Sequence, residues 1–307
     1  MTFAARTNGY ILQEGVNNFT TPARMNGSTT YASMESVTVN SSGLFVAVGY
    51  NAGSDPVYAT SSNGSTWTTP ALMNGSTAYA LMVSVTVNSS GKFVAVGFDN
   101  TTAPLYATSS NGSTWTTPAQ MNGSTAYAQM VSVTVNSSGL FVAVGFDSTI
   151  APVYATSSNG STWTTPARMN GSTAYARMVS VTVNSSGLFV AVGYNAGSDP
   201  VYATSSNGST WTTPALMNGS TAYAQMESVT VDSSGLFVAV GFDNTTNAPV
   251  YATSSNGSTW TAPAYMNGST SYARMQGVAF NSSGRFVAVG YNSTTAPLYA
   301  YGLFQQP

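Results

Sequence analysis

Side chains able to do covalent or acid–base chemistry are scarce in this chain. Its 307 residues include no cysteine and no histidine. That removes thiolate nucleophiles, disulfides and cysteine metal sites. It also removes the commonest general base and the commonest transition-metal ligand. Among the carboxylates, Asp99, Asp147 and Asp243 hold one position of a repeated loop, and Asp55 and Asp199 hold another. Equivalent positions lie one repeat apart, beyond the roughly 5–9.5 Å that separates a glycosidase pair. Glu35 and Glu227 open the first strands of two repeats, where an axial channel would be the one place for a metal; solvated loop carboxylates are the preferred reading. The arginines, among them Arg24, Arg168, Arg177 and Arg274, are spread around the repeats without a common focus. No catalytic residue, metal or cofactor is assigned.

A binding surface is better supported. Each connection between repeats carries a tyrosine: Tyr31, Tyr79, Tyr127, Tyr175, Tyr223 and Tyr272. With nearby Asn and Thr such a ring can stack on a sugar and hydrogen-bond it, and it can equally pack between repeats. Two further positions in the connection vary. The residue before each Met-Asn-Gly is Arg24, Leu72, Gln120, Arg168, Leu216 or Tyr265, and nine residues later stands Ser33, Leu81, Gln129, Arg177, Gln225 or Arg274. The loop bearing Asp99, Asp147 and Asp243 varies as well.

The elements that position these residues follow from the repeat. The run Phe-Val-Ala-Val-Gly ends at Gly49, Gly97, Gly145, Gly193, Gly241 and Gly290, a spacing of 48 residues four times and then 49. The extra residue lies in the loop of residues 242–249. One unit reads as four strands: 83–87, 93–97, 105–108 and 114–117, rich in Val, Phe, Tyr, Trp and Thr and bounded by Asn, Ser, Gly and Pro. Four short strands per 40–50 residues predict a propeller blade, so the expected fold is an all-β, six-bladed propeller of antiparallel blades. One domain is expected over 1–307, with 24–300 as the repeats and 301–307 as a tail. Residues 1–23 are expected to supply an outer strand around Phe19–Ala23 that closes the last blade. In an up-and-down blade the second-to-third-strand loop and the crossover share one face, the arrangement of a constant scaffold with diversified loops.

The turn Ser61-Ser62-Asn63-Gly64-Ser65-Thr66-Trp67 recurs at 109–115, 157–163, 205–211 and 254–260. It resembles the Asp-box, or BNR repeat, of sialidase-like propellers. The resemblance implies a polar side chain capping the turn and a Trp packed into the blade. Asn63 and its equivalents replace the family's aspartate, and the box is one residue shorter. The sialidase catalytic set, clustered arginines with a Tyr–Glu pair and an acid, is missing. The architecture is also similar to that of propeller lectins.

Only 5% of residues are charged and the net charge is −2, which leaves no electrostatic footprint for nucleic acid. No apolar run approaches the ~20 residues that span a bilayer, and the N-terminus lacks a signal-peptide pattern. A Ser/Thr/Asn surface of this kind points to an extracellular or surface-exposed setting. The expected function is a non-enzymatic, multivalent recognition module that binds glycans or a cell or virion surface. The alternative is a structural or display protein capable of self-assembly, without a small ligand.

Overall fold

The computed structural model describes residues 23–27, 31–220, 223–269, 271–281 and 285–303. It is an all-β, six-bladed β-propeller built from antiparallel blades. The first blade comprises β1 (Ala32–Val39), β2 (Phe45–Asn51), β3 (Pro56–Ser61) and β4 (Ala71–Leu72), paired in that order. The second holds β5 (Leu81–Val87), β6 (Phe93–Phe98), β7 (Pro104–Ser109) and β8 (Ala119–Gln120). The third holds β9 (Ala128–Val135), β10 (Phe141–Asp147), β11 (Pro152–Ser157) and β12 (Ala167–Arg168). The fourth holds β13 (Ala176–Val183), β14 (Phe189–Asn195), β15 (Pro200–Ser205) and β16 (Ala215–Leu216). The fifth holds β17 (Ala224–Val231), β18 (Phe237–Asp243), β19 (Pro249–Ser254) and β20 (Ala264–Tyr265). In the sixth, β21 (Arg274–Phe280), β22 (Arg285–Tyr291) and β23 (Pro297–Leu303) are the strands found among the described residues. The strand expected around Phe19–Ala23 falls almost wholly outside those residues.

The fourth strand departs from the sequence reading. Trp115 makes only an isolated bridge to Ser109, and the ladder resumes two residues long at Ala119–Gln120. Pro118 lies between and offers no backbone N–H to continue the pairing. The strand is followed by a 3-10 turn at Met121–Gly123, whose Asn122 sits at φ 50°. Asparagine tolerates this left-handed conformation better than most residues.

The chain forms two compact units. Of the described residues, one contains 23–191 and 203–214, the other 192–202 and 215–303. In the first, Val94 and Val96 of β6 pack against Met121, Met130, Phe141 and Trp163 around the third blade. In the second, Val238 and Val240 of β18 meet Met275, Phe286 and Ala288. Both faces of a blade are thus apolar, which is why valine and phenylalanine occur at successive positions of the second strand instead of alternating with polar residues.

The first strands β1, β5, β9, β17 and β21 each carry a bulge. In β5 the pairing with β6 shifts between Met82 and Ser84, and in β17 between Met226 and Ser228. Glu35 and Glu227 are the extra residues of two such bulges. The bulge forces a close approach: a Cβ on Gly97 would lie 1.8 Å from the Leu81 carbonyl oxygen. Only glycine fits there. The open edges of β5, β9, β13 and β21 are also served from the preceding blade. Val133 N–H donates to Ser84 Oγ at 3.1 Å, and Val278 N–H donates to Ser228 Oγ at 3.2 Å. These bonds satisfy an N–H that would otherwise be unpaired.

Candidate functional site

Three sets of residues fix the blade connections. The first is the turn before the fourth strand. In the third blade Asn159 Oδ1 accepts the N–H groups of Ser161 and Thr162, both at 2.8 Å, while Trp163 Nε1 donates to the Gly160 carbonyl at 3.1 Å. Trp115, Trp163, Trp211 and Trp260 are each 3% exposed. These residues build the scaffold.

The second set joins blades. Tyr58 of β3 lies beside Trp115 of the next blade, ring centroids 6.2 Å apart, and its hydroxyl donates to the Ser113 carbonyl at 2.5 Å. Tyr154 and Tyr202 repeat this with Trp211 and Trp260. The crossover asparagines add a staple: Asn74 Nδ2 donates to Thr117 Oγ1 of the following blade at 2.7 Å. The third-strand tyrosines thus pack between blades.

The third set is the candidate site. The crossover tyrosines are left at the surface, with Tyr31 61%, Tyr79 41%, Tyr127 38%, Tyr175 36% and Tyr223 56% exposed; Tyr272 is half-buried. The crossover and the second-to-third-strand loop meet directly, as the shared face requires. Ala80 N–H donates to the Ser54 carbonyl at 2.8 Å, Ala128 to Thr102 at 2.9 Å and Ala176 to Ile150 at 2.8 Å.

The variable residues of loop and crossover prove to be partners. Arg168 Nε donates to Asp147 Oδ2 at 2.7 Å, its Nη2 lies 2.6 Å from the same oxygen, and Nη2 also donates to Thr149 Oγ1 at 3.1 Å. In the second blade Gln120 Nε2 donates to Asp99 Oδ2 at 3.4 Å, and in the fifth Tyr265 Oη donates to Asp243 Oδ2 at 3.1 Å. The first and fourth blades differ at both ends of the pair at once. There Asn51 and Asn195 donate instead to Asp55 and Asp199, and the crossover residue is Leu72 or Leu216. A second pair spans the blade boundary. Gln225 Nε2 donates to Ser198 Oγ at 3.0 Å, and Arg274 Nε donates to Asn247 Oδ1 at 2.8 Å. Arg177 and Arg274 lie over Phe146 and Phe242, at 4.6 and 4.3 Å from the ring centroids. Gln129 Nε2 turns to its own crossover ring, donating to Tyr127 Oη at 3.3 Å. Arg24 is exposed.

Asp99, Asp147 and Asp243 are accordingly held as anions. Partial burial pushes each carboxyl up. Hydrogen bonds outweigh it: from Thr101, Ala103 and Gln120 to Asp99, from Thr149, Arg168 and Ala151 to Asp147, and from Thr246, Thr245 and Tyr265 to Asp243. All three lie below the ordinary carboxylate range. The partnership of loop and crossover went unread in the sequence, although its signal, Asp with a polar residue and Asn-Ala-Gly-Ser-Asp with leucine, was present.

No protein-family model matches the sequence, and no curated protein matches it. Solved structures do. A BP39L lectin from Burkholderia pseudomallei superposes with a TM-score of 0.63 at 12% identity, covering 88% of this chain and 79% of the lectin. A NanB sialidase from Streptococcus pneumoniae gives 0.63 at 11% identity, covering 89% and 68%. YCF48 from Cyanidioschyzon merolae gives 0.59 at 15%, covering 89% and 86%. At these identities the likeness is one of fold, and propellers of this kind include both sugar-binding proteins and enzymes. Among the described residues no helix is long and apolar enough to cross a membrane.

Proposed function

We propose that the chain is a non-enzymatic, multivalent recognition module that binds glycans on an exterior surface through its loop-and-crossover end. The observation that carries this reading is the exposure of five crossover tyrosines at equivalent positions, beside side chains that differ from blade to blade. A tyrosine ring offers an apolar face to a sugar and a hydroxyl that both donates and accepts. Several weak sites of this kind act together on a repeated ligand. The fold likeness to a lectin is in keeping with this. The absence of catalysis is supported by the arginines: Arg168 is neutralised by Asp147, while Arg177 and Arg274 lie on separate phenylalanines. The Ser-Ser-Asn-Gly-Ser-Thr-Trp turns act in this reading as Asp-boxes with asparagine in the aspartate's place. The test is a glycan array probed with the full chain and with a variant whose crossover tyrosines are alanine. Binding by the first and not the second is expected; no binding by the parent chain overturns the reading.

The reading of 1–307 as one domain adds a second test. Residues 19–23 are proposed to supply the outer strand beside β23. Deleting residues 1–23 is then expected to lower the melting temperature by several degrees, as loss of about 1–2 kcal/mol does in a domain of this size. Unchanged melting would refute the assignment.

One observation favours a structural or display role instead. Val37 is 58% and Val289 47% exposed, whereas their equivalents Val85 and Val240 are buried. Apolar surface of this kind supports self-assembly with further copies of the chain. Electron microscopy separates the readings: ordered assemblies favour display, dispersed single particles favour recognition.

A further inference from the structure

The arginines of the fifth and third blade connections differ in what surrounds their charge. Arg168 is matched by a carboxylate, Asp147 Oδ2, at 2.6 Å. Arg274 is held by neutral groups alone. Its Cζ lies 4.3 Å from the Phe242 ring centroid and 5.9 Å from that of Tyr272, and its Nε donates to Asn247 Oδ1 at 2.8 Å. The carboxylate of the same loop, Asp243, is occupied elsewhere: Oδ1 accepts from the N–H groups of Thr245 and Thr246, and Oδ2 from Tyr265 Oη. Among the described residues neither Nη1 nor Nη2 of Arg274 makes a hydrogen bond, and no carboxylate lies within 4.0 Å of them.

The seat is specific to this connection. The loop of residues 242–249 is one residue longer than its equivalents. Asn247 occupies a left-handed position, φ 57°, where other blades place Ser54, Thr102, Ile150 or Ser198. Its carbonyl accepts Ala273 N–H at 2.8 Å while its side chain holds Arg274. The guanidinium is thus pinned at Nε and backed by a ring, leaving its two-pronged terminal edge uncommitted. A planar guanidinium edge matches the two oxygens of an oxyanion, and a half-buried charge attracts a counter-charge more strongly than a fully hydrated one. Most other connections offer neutral groups at the same place, Leu81, Gln129 and Gln225, while the third-to-fourth connection places Arg177 there, over Phe146 but without an asparagine at the Asn247 position, which is Ile150.

We propose that the connection between the fifth and sixth blades is an oxyanion-selective subsite, in which Arg274 takes a carboxylate or sulfate group carried on an acidic glycan and Tyr272 contacts the adjoining sugar. The proposal rests on the glycan reading of the crossovers and narrows it: this connection selects for acid, whereas those with Leu81, Gln129 or Gln225 at the same place do not.

Calorimetry on the full chain tests it, with a galacturonic acid oligomer, the galactose oligomer of equal length and sodium acetate as probes. The acidic oligomer is expected to bind about tenfold more tightly than the neutral one at low salt, because a bidentate charge-assisted contact is added. That preference should shrink at high salt. Arg274→Gln should erase the preference and Arg274→Lys should keep part of it, with melting curves confirming that both variants fold. Equal affinity for the two oligomers, or a preference that survives Arg274→Gln, overturns the proposal while leaving the glycan reading intact. Acetate binding as tightly as the acidic oligomer, in an Arg274-dependent way, overturns the glycan part and marks a site for free oxyanions. No binding of any probe overturns both.

Discussion

Asn159 and Asp147 do the same local work at opposite ends of the third blade. Each presents one side-chain oxygen to two backbone N–H groups of its own turn, Ser161 and Thr162 in one case, Thr149 and Ala151 in the other. What differs is where the rest of the turn is anchored. The Asn159 turn is held by fixed partners: Trp163 bonds back to Gly160 and is buried beside Tyr106 of the preceding blade, and Lys92 Nζ of that blade donates to the Asn159 carbonyl and Ser161 Oγ. Asp147 has a second oxygen that reaches out of its loop to Arg168. That oxygen needs a partner but does not dictate which one, so glutamine, arginine and tyrosine all serve. The crossover end varies in matched pairs, whereas the Ser-Ser-Asn-Gly-Ser-Thr-Trp turn recurs unchanged in five repeats.

The largest test of this contrast exchanges aromatic rings. Trp163→Ala should cost about 3–5 kcal/mol in chemical denaturation, the range for removing a buried large aromatic. Tyr175→Ala at the exposed crossover should stay within about 0.5 kcal/mol. Equal costs would break the comparison. Next comes backbone proximity: Gly145→Ala places a Cβ 1.8 Å from the Gln129 carbonyl oxygen and should destabilise by about 3 kcal/mol, as overpacking does. Gly139, with nothing within 4 Å of its Cβ, is the control for sterics; its φ of 85° leaves a smaller conformational cost of about 1 kcal/mol.

Smaller effects sharpen the pairing itself. A double-mutant cycle on Asp147 and Arg168, read by thermal melting, should return a coupling of about 1 kcal/mol, the upper end for a partly exposed ion pair. Zero coupling would mean that the matched residues merely coexist. The smallest effect concerns pH. Because Asp99, Asp147 and Asp243 have lowered folded-state values, their stabilisation is complete above the unfolded carboxylate value of about 4 and is lost as pH falls through the folded values. A triple Asp→Asn variant should show a flatter melting-temperature profile below about pH 4 than the parent chain.

The scaffold was largely legible in the sequence because its signals are local. Alternation in 83–87, the Asn-Ser-Ser-Gly turns and the Trp-bearing boxes each lie within a few residues of their partners. The fourth strand was misplaced because Pro118 interrupts it, so the residues that look most strand-like, 114–117, are not those that continue the ladder. The site was legible in part. The exposed end and its tyrosines follow from blade topology alone. The division of labour between tyrosines does not: Tyr58 and Tyr79 have the same chemistry, and only the Trp115 ring beside Tyr58 tells them apart. The Gln225–Ser198 and Arg274–Asn247 bonds join residues 27 apart in sequence, a separation at which no local pattern exists to read.

The matched pairs also define where the chain can be cut and recombined. A segment running from one Asn-Ser-Ser-Gly turn to the next, such as residues 136–183, contains Asp147 with Arg168 and Phe146 with Arg177. Both the pair within the blade and the pair across its boundary travel together. A cut at the crossover, by contrast, keeps Asp147 with Arg168 but parts Asn247 from Arg274 and Ser198 from Gln225. The transferable cassette is therefore offset from the blade, beginning after one first strand and ending with the next. Chimeras joined in that register inherit their recognition residues already partnered, whereas those joined blade to blade inherit mismatched neighbours at every seam.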